Sequence, residues 1–301
     1  MILCGSSLRP PGGRGVDPLV RLASEAGFDG IGIGRGCTLA MATEILAVAL
    51  KAGLGPGILA APLAERPLQP GKRYPRLGAE APDERAAAIE LGRRTLELGG
   101  GVGMKVVTLD FGAVALSTPI EPVARLYARR ELEDYDLDQG PLGAALRERR
   151  ARSGALVDAC RWSLEALSPH AARRGITLAL DLGPTPWGLP GPREALELCA
   201  LFGGAAVGVA FDPAKLMAMR ALGLPVSDER IAALRGAAAV IIENDAVGTD
   251  VGYLAGLGER DADLATREGF AKNVPVIVVG TPDATDGEVA AAAALARARY
   301  E

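Results

Sequence analysis

Several apolar runs in this chain end on carboxylates. Asp110 closes "KVVTLD", Asp181 closes "TLALD", Asp212 closes "VGVAFD", and Glu243 and Asp245 follow "AVII". Acids brought together repel one another, so a converging set needs a cation, a proton or a bound ligand. Hard oxygen donors from Asp110, Asp181, Asp212 and Asp245 suit Mg²⁺ or Mn²⁺ better than Zn²⁺. Lys215, three residues beyond Asp212, is an alternative source of the balancing charge, and with it no metal is required. Each acid also has a plainer reading. Asp212 precedes Pro213 and suits a helix N-cap. Asp110 in "DFG" suits a turn cap, and Glu243 and Asp245 suit a solvated loop.

Three further residues have types that fit ligand binding. Arg35 could clamp an anionic group or simply solubilise a loop, and Trp187, within "GPTPWGLPG", could stack on a sugar ring or prop that loop. Glu243 is the third candidate substrate-binding group. Two motifs carry little. "GGGVG" (99–103) lacks the Gly-Lys-Ser/Thr ending of a phosphate loop. His170 is the only histidine and falls late in a helical stretch, which speaks against a His-based zinc site or a Ser-His-Asp triad.

The elements that must position these side chains alternate along the chain. Eight apolar runs read as strands: 1–5, 30–34, 55–61, 105–110, 177–182, 207–212, 239–245 and 274–280. Several are continuously apolar, as parallel strands buried on both faces are. Amphipathic segments lie between them. "VDPLVRLASEAGFDG" offers Asp17 as N-cap, Pro18 in the first turn and Gly27 as a left-handed C-cap. Eight strand–helix repeats predict an α/β fold, a (β/α)8 TIM barrel spanning 1–301 as a single domain, with a doubly wound sheet as the alternative. Residues 113–155 exceed an ordinary connection and predict a helical insertion or lid after strand 4. A long helix is expected to follow it through "GALVDACRWSLEALSPHAARRG".

Composition narrows the function classes. The net charge of −4 lacks the basic footprint of a nucleic-acid binder. The longest apolar runs fall far short of the roughly 20 residues a membrane span needs. The N-terminus has no charged region ahead of a long apolar stretch and reads as no signal peptide. Cys4, Cys37, Cys160 and Cys199 form no CxxC pair and read as reduced core thiols. A cytoplasmic protein is expected, acting on a small molecule without nucleic acid or membrane partners, and compatible with a homo-oligomer.

Read together, "ASEAGFDGIGI" (23–33), "LELGGGVGMKVVTLDFG" (96–112), "AARRGITLALDLGP" (171–184), "VGVAFDPAKL" (207–216) and "AAVIIENDAVG" with "GLGERDAD" (238–263) resemble the xylose-isomerase-like TIM-barrel superfamily of sugar isomerases, epimerases and endonuclease IV relatives. The resemblance implies divalent metals held by Glu, Asp and His at strand ends. By position, Asp181 stands at a strand-5 Glu ligand, Asp212 at a strand-6 Asp and Asp245 at a strand-7 acid. Asp110 stands near a strand-4 histidine. Lys215 stands at a histidine, Ile242 at another, Gly32 at a frequent strand-2 Glu, and "VIVVGTP" offers no strand-8 Glu. The implied metal site is thus degenerate: either an all-oxygen Mg²⁺ or Mn²⁺ site survives, or Lys215 has replaced the metal.

The expectation is therefore a sugar isomerase- or epimerase-like enzyme, moving a proton on a small hydroxy-carbonyl substrate at the C-terminal mouth of the barrel. Asp181 is the expected base and Lys215 the electrophile, by charge or by Schiff base. A non-catalytic binding or scaffold protein on a degenerate barrel is the alternative. An endonuclease role stands third, opposed by the acidic charge.

Overall fold

The computed structural model describes residues 1–8, 15–67, 74–114, 116–117, 140–183, 187–203, 206–222, 224, 226–247, 250–259, 264 and 267–301. All eight expected strands form. They are β1 (Ile2–Gly5), β2 (Gly30–Ile33), β3 (Gly55–Ala61), β4 (Val106–Leu109), β5 (Thr177–Asp181), β6 (Val207–Phe211), β7 (Ala238–Glu243) and, last in the barrel, β10 (Val276–Val278). They close into an all-parallel barrel in the order β1-β10-β7-β6-β5-β4-β3-β2. Closure by the β1–β10 pair settles the choice between barrel and open sheet. Between β7 and β10 lies an antiparallel hairpin absent from the sequence-based expectation, β8 (Asp245–Val247) with β9 (Asp250–Tyr253).

The helices among the described residues are α1 (Asp17–Glu25), α2 (Leu39–Lys51), α3 (Pro82–Gly101), α4 (Gly140–Ala151), α5 (Ser153–Ala172), α6 (Pro192–Leu201), α7 (Pro213–Ala221), α8 (Asp228–Gly236) and α9 (Asp286–Tyr300). Helix α1 is capped by Val16 rather than Asp17, which sits in the first turn. Gly27 takes the expected positive φ of 73° after it. The 113–155 region contributes α4, which stops at Arg152 before α5 begins. Most of the remaining insertion (115 and 118–139) lies outside the described residues. No described helix is long and apolar enough to cross a membrane, and the four cysteines are free and buried.

Strand alternation sorts side chains into two layers. Ile31, Ile33, Leu109, Leu180, Val209, Phe211 and Ile241 face the helices and join the main core. Leu3, Ile58, Val106, Ala179, Ala210, Val240 and Ile277 fill the barrel interior, with Ile242 and Val279 against them. This parity sets what reaches the mouth. On β5 and β6 the inward positions run 179 to 181 and 210 to 212, so Asp181 and Asp212 point in. On β7 they run 240 and 242 to 244, so Glu243 points out. The β2 and β10 side is apolar: a Cβ on Gly32 would fall 2.1 Å from Ile277 Cδ1, so Ile277 occupies the space a side chain there would need.

Candidate active site

The mouth gathers Asp110, Asp181, Asp212, Lys215 and Arg35. Lys215 rises from the first turn of α7, whose start is fixed by Pro213 and by Asp212 as N-cap. Asp212 Oδ1 accepts the Lys215 backbone N–H at 3.1 Å. The capping reading of Asp212 is therefore correct, and it operates alongside a place in the site. Capping uses one oxygen, and the other faces the Lys215 ammonium at 3.7 Å. Lys215 Nζ also donates to Asp181 Oδ1 at 2.5 Å. One ammonium thus joins the ends of β5 and β6.

Burial grades these groups. The Asp212 side chain is 2% exposed, that of Lys215 13% and that of Asp181 24%, so Asp181 is the acid a ligand reaches first. Burial pushes the Asp212 carboxyl up to about 6, against the opposing pull of Lys215 and with added repulsion from Asp181. For Lys215, burial works against the charged form, but Asp181 and Asp212 together outweigh it and hold the ammonium above its ordinary value. A lysine held protonated is a poor Schiff-base nucleophile. Of the two sequence-based roles for Lys215, the geometry supports the fixed cation.

Asp110 closes on Arg35 as an ion pair, and its Oδ1 accepts the Gly112 N–H at 2.5 Å. Arg35 also lies within the field of Asp181. It is therefore at the mouth, as expected of a clamp, while its partner is a protein carboxylate. Trp187 is half-buried against the core, and its carbonyl accepts the Val114 N–H at 2.8 Å. That backbone bond ties the loop after β5 to the segment after β4.

The structure does not bring Glu243 or Asp245 to this group. Glu243 is fully buried on the helix side, where Arg299 Nη1 donates to it at 2.5 Å and Tyr300 Oη at 2.8 Å. Burial pushes its carboxyl up to about 7 despite Arg299. Asp245 Oδ2 accepts the N–H groups of Gly256, at 2.5 Å, and Gly258, at 3.3 Å. It anchors the chain that follows the β8–β9 hairpin. Between them stands Asn244, which sequence reasoning missed. Its side chain donates to Asp212, and its Oδ1 is buried with no partner among the described residues. Counting inward positions along β7 selects Asn244 and passes over both acids.

These placements bear on the expected Mg²⁺ or Mn²⁺ site. Asp245 is spent on backbone N–H groups, Asp110 on Arg35, and the Lys215 ammonium sits between Asp181 and Asp212. Among the described residues no three His, Cys, Asp or Glu side chains are placed to hold an ion. The donor set does not fit a hard dication.

No protein-family model matches the sequence, and no curated protein does. Solved structures do match over the whole chain. A 3-keto-D-glucoside 4-epimerase from E. coli is 15% identical with a TM-score of 0.65, covering 99% of this chain and 98% of that one. A D-tagatose 3-epimerase-like protein is 12% identical with a TM-score of 0.67, covering 99% and 96%. The IolI protein, solved with a bound zinc atom, is 14% identical with a TM-score of 0.64, again covering 99% and 96%. At these identities the likeness concerns architecture: the chain shares the (β/α)8 TIM-barrel fold of these structures.

Proposed function

We propose that this protein is an isomerase- or epimerase-like enzyme for a small sugar-like hydroxy-carbonyl compound, working by a single base and a fixed cation. The observation that carries the reading is the contact between the most exposed acid of the group, Asp181, and an ammonium held protonated, Lys215. Proton transfer beside a carbonyl needs a base for the carbon-bound proton and positive charge on the carbonyl oxygen. Asp181 takes the proton, the electrons move onto the oxygen, and Lys215 stabilises the resulting enediolate. Asp181 then returns the proton to the neighbouring carbon while the proton on that carbon's hydroxyl passes to the former carbonyl oxygen, which completes the interchange. Asp212 keeps Lys215 charged and in place.

The barrel's asymmetry supports one-face chemistry. The β2 and β10 side of the interior is lined by Gly32, Ile277 and Val279, and none of these can act as a second base on the opposite face of the substrate. A single base handing one proton between adjacent carbons suits aldose–ketose isomerisation better than inversion at one carbon. The shared fold of the 3-keto-D-glucoside 4-epimerase and the D-tagatose 3-epimerase-like protein agrees with a small carbohydrate-like substrate.

A second reading, a binding protein without turnover, is favoured by one observation: Asp181 and Asp110 each already hold a protein cation. Deuterium exchange from solvent into a panel of keto and aldo sugars, followed by NMR, separates the two. Exchange that is lost in both Asp181→Asn and Lys215→Met supports the enzyme. Saturable binding of a sugar with no exchange supports the binder.

A further inference from the structure

Outside the mouth, the described residues form a second cleft of about 590 Å³ between α4, the start of α6 and the α7–α8 connection. Its size falls within the range of small-molecule sites. Four arginines line it, Arg149, Arg150, Arg193 and Arg230, against one acid, Glu194. In a chain of net charge −4 this is a local concentration of positive charge.

The arginines are not equivalent. Arg149 is 8% exposed and fixed in the wall by Glu194 at 2.6 Å. Its Nε is buried with no hydrogen-bond partner, which carries a desolvation cost. Arg193 is paired with Glu197 at 2.9 Å. Among the described residues no acid pairs with Arg150 or Arg230. The N-terminus of α6 meets the same cleft through Gly191, Pro192 and Arg193. There Glu194 Oε2 accepts the Gly191 N–H at 2.9 Å and Pro192 has no N–H, so the arginine side chains rather than the helix backbone are the donors of this cleft.

We infer that this cleft binds the phosphate group of a small molecule. Arg150 and Arg230 supply the unpaired charge, and Arg149, held by Glu194, stands in the wall behind them. A planar guanidinium fork matches phosphate oxygens, and several such bonds compound. The site is separate from the barrel mouth and does not depend on the reaction proposed there. In its wall Arg149 Nη2 donates to the Gly188 carbonyl at 3.5 Å.

Calorimetry with inorganic phosphate, against chloride at matched ionic strength, tests the cleft. Wild-type protein is expected to bind phosphate. The Arg150→Gln/Arg230→Gln double variant, whose substituted side chains are not core residues, should bind about tenfold more weakly or worse. Arg35→Gln should bind as wild type. Absence of binding, equal binding by the double variant, or loss of binding in Arg35→Gln alone, which would place the anion at the mouth, overturns the inference. A phosphorylated keto sugar then separates two sources of the same group. Affinity that falls in both the double variant and Asp181→Asn marks a substrate phosphate, and affinity that falls only in the double variant marks a separate ligand.

Discussion

The Lys215 ammonium lies 2.5 Å from Asp181 and 3.7 Å from Asp212, bridging the ends of two adjacent strands. It occupies the region between two carboxylates that a bound cation would otherwise have to neutralise.

Substituting Lys215 with Met should therefore leave Asp212 buried without its counter-charge. Loss of one partner of a buried pair costs about 3–5 kcal/mol. The cost should depend on pH. Asp212 in the folded protein already holds its proton more tightly than its ordinary value of 3.8, at about 6, and losing Lys215 moves it higher. A raised folded value means a contribution fully present below 3.8 and lost as pH climbs through 6. Denaturant titrations should show the Lys215→Met deficit shrinking in acid. A deficit independent of pH would contradict the pairing.

Metal addition gives a second expectation. Mn²⁺ or Mg²⁺ should leave the melting temperature of the wild-type protein unchanged, because the ammonium holds the place between the acids. In Lys215→Ala the same acids are freed, so Mn²⁺ should stabilise in proportion to its concentration over its Kd. Wild-type stabilisation that disappears in Asp212→Ala would instead establish a carboxylate metal site.

Glu243 predicts a separate pH effect. Its folded value near 7 lies above the ordinary 4.5, so its contribution is fully present below 4.5 and is lost as pH rises through 7. The span corresponds to about 3 kcal/mol. Glu243→Gln keeps one acceptor oxygen for Arg299, presents its amide N–H to Tyr300 Oη, which can accept, and should flatten stability against pH across that window. Catalytic exchange should be untouched, since the side chain faces α9 and not the mouth.

Asn244 predicts a spectroscopic change. Its donation to Asp212 favours the charged carboxylate. Asn244→Leu should therefore raise the Asp212 titration midpoint above about 6 in carboxyl NMR. An unchanged midpoint would mean the hydrogen bond carries no weight.

The architecture could be read from the sequence because each barrel strand is a short apolar run, and all eight runs became strands. The sequence also names Asp110, Asp181, Asp212, Lys215 and Arg35, which the fold brings to one mouth. A strand end alone does not tell which face its residue takes. On β5 and β6 the terminal acid points inward. On β7 parity turns Glu243 outward and Asn244 inward, so the strand-end rule does not single out Asn244. The break of the α4–α5 region at Arg152 and the β8–β9 hairpin depend on tertiary contacts that carry no periodic signature. The Asp245 bonds to Gly256 and Gly258 are of that kind.

The pairing of Gly32 with Ile277 also constrains how the site could be re-engineered. An acid installed at position 32 alone meets the Ile277 side chain, and a smaller residue at 277 alone opens a void beside a glycine. Each single step is penalised by packing, and only the double exchange fits the volume. The two positions are therefore linked by packing, and placing an acid on that side of the barrel calls for both substitutions together.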